Sequence, residues 1–110
     1  MSKYMTQFSY STASMKGMVD HPQDRRAAAE KIFNAAGGTI ECMYYCFGEY
    51  DGIVIGEFPS DVAAASAILA ICSSGAFSTI KTTVLIPMED SVAAMEGANK
   101  IVAEYKAPSS

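Results

Sequence analysis

Polar and apolar positions alternate along residues 3–12. Tyr4, Thr6, Phe8 and Tyr10 fall on one side and Met5, Gln7, Ser9 and Ser11 on the other. A period of two, rich in aromatic and β-branched residues, predicts a strand. Residues 13–20 read as the start of helical structure, and the helix proper is predicted from about 22 to 36. Pro22 suits a first helical turn, and Ala27, Ala28, Ala29, Ile32 and Phe33 supply propensity and an apolar stripe. Gly37-Gly38 stops that helix, because glycine takes a left-handed C-cap at little cost. Residues 39–47 form a second strand, apolar on both faces, with Cys42, Tyr44 and Cys46 against Met43, Tyr45 and Phe47. Gly48-Glu49 makes a turn into a third strand over 51–58, with Ile53 and Ile55 on one face and Val54 on the other. Gly52 and Gly56 flank Val54 on its face, which implies close approach by a helix, another backbone or a ligand.

Pro59 ends this strand, and Ser60 or Asp61 is placed to cap a helix over about 61–73. Between Val62 and Cys72 only Ser66 is polar, and a helix apolar all round is buried on more than one side. One side then meets the domain core and the other a second subunit. Residues 77–86 alternate as a fourth strand, and a last helix over about 89–105 carries Val92, Met95, Ala98, Val102 and Tyr105 at steps of three or four. The order βαββαβ plus a C-terminal helix matches the split βαβ, ferredoxin-like arrangement. The expected fold is therefore α+β, a four-stranded antiparallel sheet with helices on one face. Its other face is largely apolar, and a monomer would expose more than the few hundred Å² usually tolerated. We expect two sheets to pack face to face, as in a dimeric α/β barrel; the other reading is a wet sheet face carrying a few exposed aromatics.

Length and composition narrow this picture. One domain over 1–106 with a disordered tail over 107–110 is expected for 110 residues. No apolar run reaches the ~18–20 residues that span a bilayer, and residues 1–7 contain no signal-peptide core, so a cytoplasmic, non-membrane protein is expected. Cys42, Cys46 and Cys72 are an odd number in apolar surroundings and read as small buried hydrophobes, with no metal site expected. Charge is uneven. Residues 1–31 hold five Lys/Arg against three acids, a net +2, whereas residues 32–80 hold five acids and no Lys or Arg, a net −5. An acidic centre repels phosphate, which argues against nucleic acid. Lys16, Arg25, Arg26 and Lys31 sit at helical spacing and read as a solvated face.

The run Gly48-Glu49-Tyr50-Asp51, followed by a Val/Ile strand, Glu57 and a Pro59-x-Asp61 exit into an alanine-rich helix, resembles the GYD-domain family. Tyr4, Tyr10, Pro22 with Arg25, Gly37-Gly38, and Gly75-x-Phe77 with Thr79 and Thr82 extend the resemblance over residues 4–87. The chain departs from the pattern in its many cysteines and methionines, and in Gln7 where an apolar residue is expected. The resemblance implies a dimeric α/β-barrel assembly and no assigned reaction or cofactor. Related barrels include cofactor-independent oxygenases, isomerases, haem binders and stress-response proteins, so fold alone does not choose among them.

Several residues carry possible chemistry. Asp51 in apolar surroundings would have a raised pKa and serve as a general acid or base; read structurally, it caps the turn. Strand alternation puts Asp51 and Glu57 on one face and Tyr50 on the other. His21, the sole histidine, is a second acid/base or axial-ligand candidate beside its plainer reading as a loop residue. Tyr10, Tyr44 and Tyr50 are ligand-binding candidates, since a buried phenol needs a partner and a pocket provides one. Lys81 reads either as an anion contact or as a charge guarding an edge strand. Three functions follow: a homo-oligomeric module binding a small, mostly apolar ligand in a sheet-face cavity; a cofactor-independent isomerase or oxygenase using a carboxylate and a tyrosine; or a purely structural assembly protein.

Overall fold

The computed structural model describes residues 1–109. The expected disordered tail over 107–110 therefore falls partly outside the described residues, at Ser110. Nine elements follow one another: β1 (Ser2–Tyr10), α1 (Thr12–Asp20), α2 (Arg26–Ala35), β2 (Thr39–Tyr45), β3 (Gly52–Phe58), α3 (Asp61–Ser73), β4 (Phe77–Leu85), α4 (Met88–Ile101) and a 3-10 turn, Val102–Glu104. The strands form one antiparallel sheet in the order β2-β3-β1-β4, the α+β ferredoxin-like arrangement expected from the sequence.

The sheet's two faces differ as the alternation requires. Tyr4, Thr6 and Phe8 of β1 and Gly52, Val54, Gly56 and Phe58 of β3 are buried under the helices. Met5, Gln7, Ile53, Ile55 and Glu57 lie on the opposite, half-covered face. Thr6, the buried polar residue of this layer, shares a 3.0 Å hydroxyl–hydroxyl hydrogen bond with Thr82 on β4.

Aromatic rings set the spacing of the core. A Cβ on Gly52 would stand 2.3 Å from the Phe8 ring, its direct partner across the β1–β3 pair. One on Gly56 would stand 2.6 Å from the Phe33 ring of α2 and 2.5 Å from the carbonyl oxygen of Thr39. The close approach implied by these two glycines is thus made by aromatic rings and a neighbouring strand. Phe33 stacks on Phe58 with centroids 4.6 Å apart, and Tyr4 meets Phe58 edge-on at 5.7 Å. Each such buried ring stabilises the domain by about 1.5–3 kcal/mol.

The first helical region differs from expectation. It is two helices, and α2 begins at Arg26 rather than near Pro22. Ser11 caps α1, its hydroxyl accepting from the Ser14 amide. The Asp24 carboxylate accepts from the Arg26 amide at 2.8 Å, so a side chain starts α2 where proline was expected to. Lys16 therefore sits on a different helix from Arg26 and Lys31, and pairs with Asp20 while Arg26 pairs with Glu30. Gly37 ends α2 with φ +82°, the left-handed conformation that disfavours other residues. Ser60 caps α3 through the Ala63 amide.

The outer parts of the molecule are less covered. Tyr44 and Tyr45 on edge strand β2 are exposed, as are Val62 and Leu69 on α3. Cys42 and Cys46 are half-buried and Cys72 is exposed, so only part of the cysteine set behaves as core. Helix α4 has no buried residue and packs mainly on the 3-10 turn that follows it. The molecule accordingly extends 59 Å in its longest direction, with a radius of gyration of 17.9 Å; a compact chain of this length measures about 13 Å.

Gly52→Ala and Gly56→Ala are each expected to lower stability by about 1–3 kcal/mol through forced displacement of a ring. Gly48→Ala, whose new methyl meets nothing within 4 Å, should stay within about 0.5 kcal/mol of the parent. Urea midpoints measure all three, and equal midpoints would refute the ring–glycine account.

Candidate functional site

The site grows from the junction of β1 and the turn before β3. The β1–β3 pairing ends at Phe8↔Gly52, so the Tyr10 amide lies beyond the regular ladder on that side. The Asp51 carboxylate accepts from that amide at 2.9 Å. Asp51 is held by its backbone as well: its amide donates to the Phe8 carbonyl at 2.8 Å, and its carbonyl accepts from the Cys46 amide at 2.7 Å. The aspartate of the Gly-x-Tyr-Asp motif therefore ties the ends of β1, β2 and β3 together. A carboxylate suits the place because it accepts from a main-chain N–H more strongly than a neutral group does.

This tie positions an aromatic cluster. Tyr10 stacks on Phe77 at 5.1 Å, and Phe8 meets both edge-on at 5.4 Å. Burial pushes the Tyr10 phenol above its usual range; the Arg25 guanidinium beside it pulls the other way, and Tyr45 and Asp51 add to the rise. The phenol is protonated at neutral pH, a hydrogen-bond donor at the edge of an apolar space.

Two clefts meet here. The larger, about 510 Å³, lies under α1 and the 21–25 loop and is bounded by Met15, Met18, Met43, Tyr45 and Asp51. The smaller, about 280 Å³, runs between α2 and α3 over Thr6, Phe8 and Val54, with Ala29, Ile32 and Ile71 on its walls. Phe8, Tyr10, Arg25 and Met43 border both. The smaller cleft is mostly apolar, and the larger combines methionines with three tyrosines, two carboxylates and two guanidinium groups. Such a space suits an elongated apolar molecule with one polar end.

The sequence candidates separate in space. Tyr10 stands where the clefts meet, Tyr44 borders the larger one, and Asp51 forms part of its wall. Tyr50 is half-buried in the turn and lines neither cleft. His21 is exposed at the end of α1, where its amide donates to the Gly17 carbonyl, and it too lies off both clefts. Arg25 and the three methionines were not singled out by the sequence reading; the pairing of Pro22 with Arg25 was the available signal. A second missed element is the hydrogen bond from the Tyr4 hydroxyl to the Asp61 carboxylate, which fastens the start of α3 to the middle of the sheet. That bond, burial and the Asp61 charge raise the Tyr4 pKa. Among the described residues no three His, Cys, Asp or Glu side chains converge as metal ligands, and no helix is long and apolar enough to cross a membrane.

An α+β sandwich of ferredoxin-like topology, with a cleft between its sheet and helices, is the class this geometry defines. The chain belongs to the GYD domain family, whose model matches residues 4–95. No curated protein matches it. Among solved structures, FFRP-DM1 is 16% identical with a TM-score of 0.50, covering 78% of this chain and 100% of its own. The protein At3g17210 from Arabidopsis thaliana is 13% identical with a TM-score of 0.50, covering 80% and 96% respectively. At such identities the likeness concerns the fold alone.

Asp51→Ala leaves the Tyr10 amide without its acceptor and should cost about 1–3 kcal/mol, whereas Asp51→Asn keeps an acceptor oxygen and should cost less than half as much. Chemical denaturation separates the two, and equal losses would contradict the capping role. Stability should also fall with alkaline pH. Tyr4 and Tyr10 both have raised folded pKa values, so their contribution is complete below the ordinary tyrosine pKa of 10.0 and declines as pH rises through the folded values. Tyr10→Phe should flatten that decline in melting temperature measured above pH 10; an unchanged slope would count against the burial of the phenol.

Proposed function

We propose that this GYD-family chain is a homo-oligomeric module that binds a small, mostly apolar ligand in the cleft over the helix-side face of its sheet. The observation that carries this reading is the meeting of the two clefts at Tyr10, with Arg25 beside it and Met43 shared by both. Apolar walls supply the favourable transfer of a ligand body from water, and the phenol and guanidinium supply orientation. Met15, Met18 and Met43 adapt their shape to what lies between them. Tyr44 contributes at the rim, and Tyr50 acts through the turn that carries Asp51.

Support for self-association comes from the sheet's open face, where Met5, Ile53, Ile55 and Leu85 are half-covered and Tyr44 is exposed. Pairing two such faces removes an apolar surface from water in the manner of a dimeric α/β barrel. The Lys3–Glu41 pair, at 2.7 Å, and Gln7, Glu57 and Lys81 give that face its polar positions.

A cofactor-independent enzyme is the second reading, favoured by the carboxylate of Asp51 on the wall of the larger cleft near the Tyr10 ring. It is the weaker one, because that carboxylate is already engaged with a main-chain amide.

Native mass spectrometry of protein from its own host should show a dimer or larger species that releases a small molecule on denaturation. Ala29→Phe, which fills the smaller cleft, should abolish both the retained molecule and the fluorescence enhancement of 8-anilinonaphthalene-1-sulfonate. A ligand-free mass with no dye enhancement would overturn the binding reading. A monomer by light scattering at micromolar concentration would overturn the pairing of sheets.

A further inference from the structure

Two apolar helix faces of this chain have no partner within it. On α3 the outward stripe runs Val62, Ala65 and Leu69 with Cys72 at its edge, and Val62 and Leu69 are 77% and 69% exposed. On α4 the stripe runs Met88, Val92 and Met95 and, past the polar Asn99, Val102, with Val92 54% and Met95 66% exposed. These positions recur at helical spacing, while Glu89, Glu96 and Lys100 fall on another side. The helices match in length, 13 and 14 residues, or about 20 Å each. The small side chain of Ala65 in the middle of the α3 stripe permits close approach of a second helix.

The exposed area shows that a large surface awaits cover. The chain exposes 7670 Å², whereas a compact protein of 11.7 kDa exposes about 5,900 Å². The excess, about 1,800 Å², is more than the roughly 800 Å² per partner of a standard interface. Helix α4, none of whose residues is buried and which packs mainly on the turn that follows it, contributes to it. Both stripes belong to the same chain, so any solution of this protein presents them in equal numbers, and a second copy is the partner always at hand.

We propose that α4 of one copy lies along the outer face of α3 of a second copy, burying Val92 and Met95 against Val62 and Leu69. This proposal rests on the homo-oligomeric reading above and adds a helix-to-helix contact to the pairing of sheets. It also accounts for α3 being apolar all round: its inner side, with Ala64 and Ala67, faces the sheet, and its outer side faces an imported helix.

The test uses the full chain. A double variant Val92→Glu/Met95→Glu and, separately, Leu69→Glu alter side chains exposed in the single chain, so the domain should fold; circular dichroism, and a urea midpoint equal to the parent's at a dilution where both are dissociated, verify that it does. Light scattering across a dilution series should show that both variants dissociate at a concentration at least about tenfold higher than the parent, as charge placed in an interface core requires. Cysteine introduced along the stripe, as Met88→Cys, Met95→Cys or Val102→Cys, should form a disulfide with the native Cys72 of another copy at one or more positions, mapped by peptide mass spectrometry. Disulfides joining only the introduced cysteines to each other would mean that α4 pairs with α4, and would overturn the proposal. So would parent-like assembly of either charge variant, with the homo-oligomeric reading left standing. A monomeric parent chain would remove that reading and the proposal together.

Discussion

The structure depends on one steric constraint: two aromatic rings occupy the space that side chains would take on β3. Phe8 lies over Gly52 and Phe33 over Gly56, so the central pair of strands and the first long helix approach as closely as backbone allows. Phe58 and Tyr4 complete the layer. Because the β1–β3 register places Phe8 directly opposite Gly52, slipping it by one residue would put the ring against Ile53 and turn the apolar set of each strand to the other face. The same ring then forms the floor shared by both clefts. Core packing and the floor of the clefts are therefore two sides of one contact.

Much of this was legible in the sequence because it rests on local signals. Alternation along residues 3–12 and 51–58 pointed to the two central strands, Gly37 marked the end of α2 and Pro59 the end of β3, and Val62 to Cys72 announced a helix apolar on every side. The glycines of β3 signalled a close approach without saying by what, since the answer lies in Phe33, twenty-three residues away along the chain from Gly56. The division of the first helical region was missed because Pro22 is a strong local signal for a helix start, whereas the carboxylate of Asp24 reaching the Arg26 amide is a tertiary detail of a short loop.

The site was legible only in part, for a related reason. Asp51 and Tyr10 were noticed as separate residues, but their link exists because the β1–β3 pairing stops at Phe8 and leaves the next amide on that side to a side chain. Alternation, applied strictly, places Asp51 on the open face; it lies in the turn just before β3, where alternation no longer holds, and borders the cleft. Arg25 was absorbed into a run of basic residues with regular spacing, yet that run spans two helices, and only Arg25 among its members borders both clefts. Regular spacing in sequence carries meaning within one helix and loses it across a break.

The bond between Tyr4 and Asp61 fastens α3 at its first turn, whereas the smaller cleft is bordered by the far half of that helix, from Ala67 to Ile71. The helix is thus a lever with its fulcrum on the middle of the sheet. Over its length of about 20 Å, a tilt of about ten degrees displaces the distant end by roughly 3 Å. The mouth of the cleft widens most and the anchored end hardly at all. Girth, rather than length, is the dimension such a tilt would change.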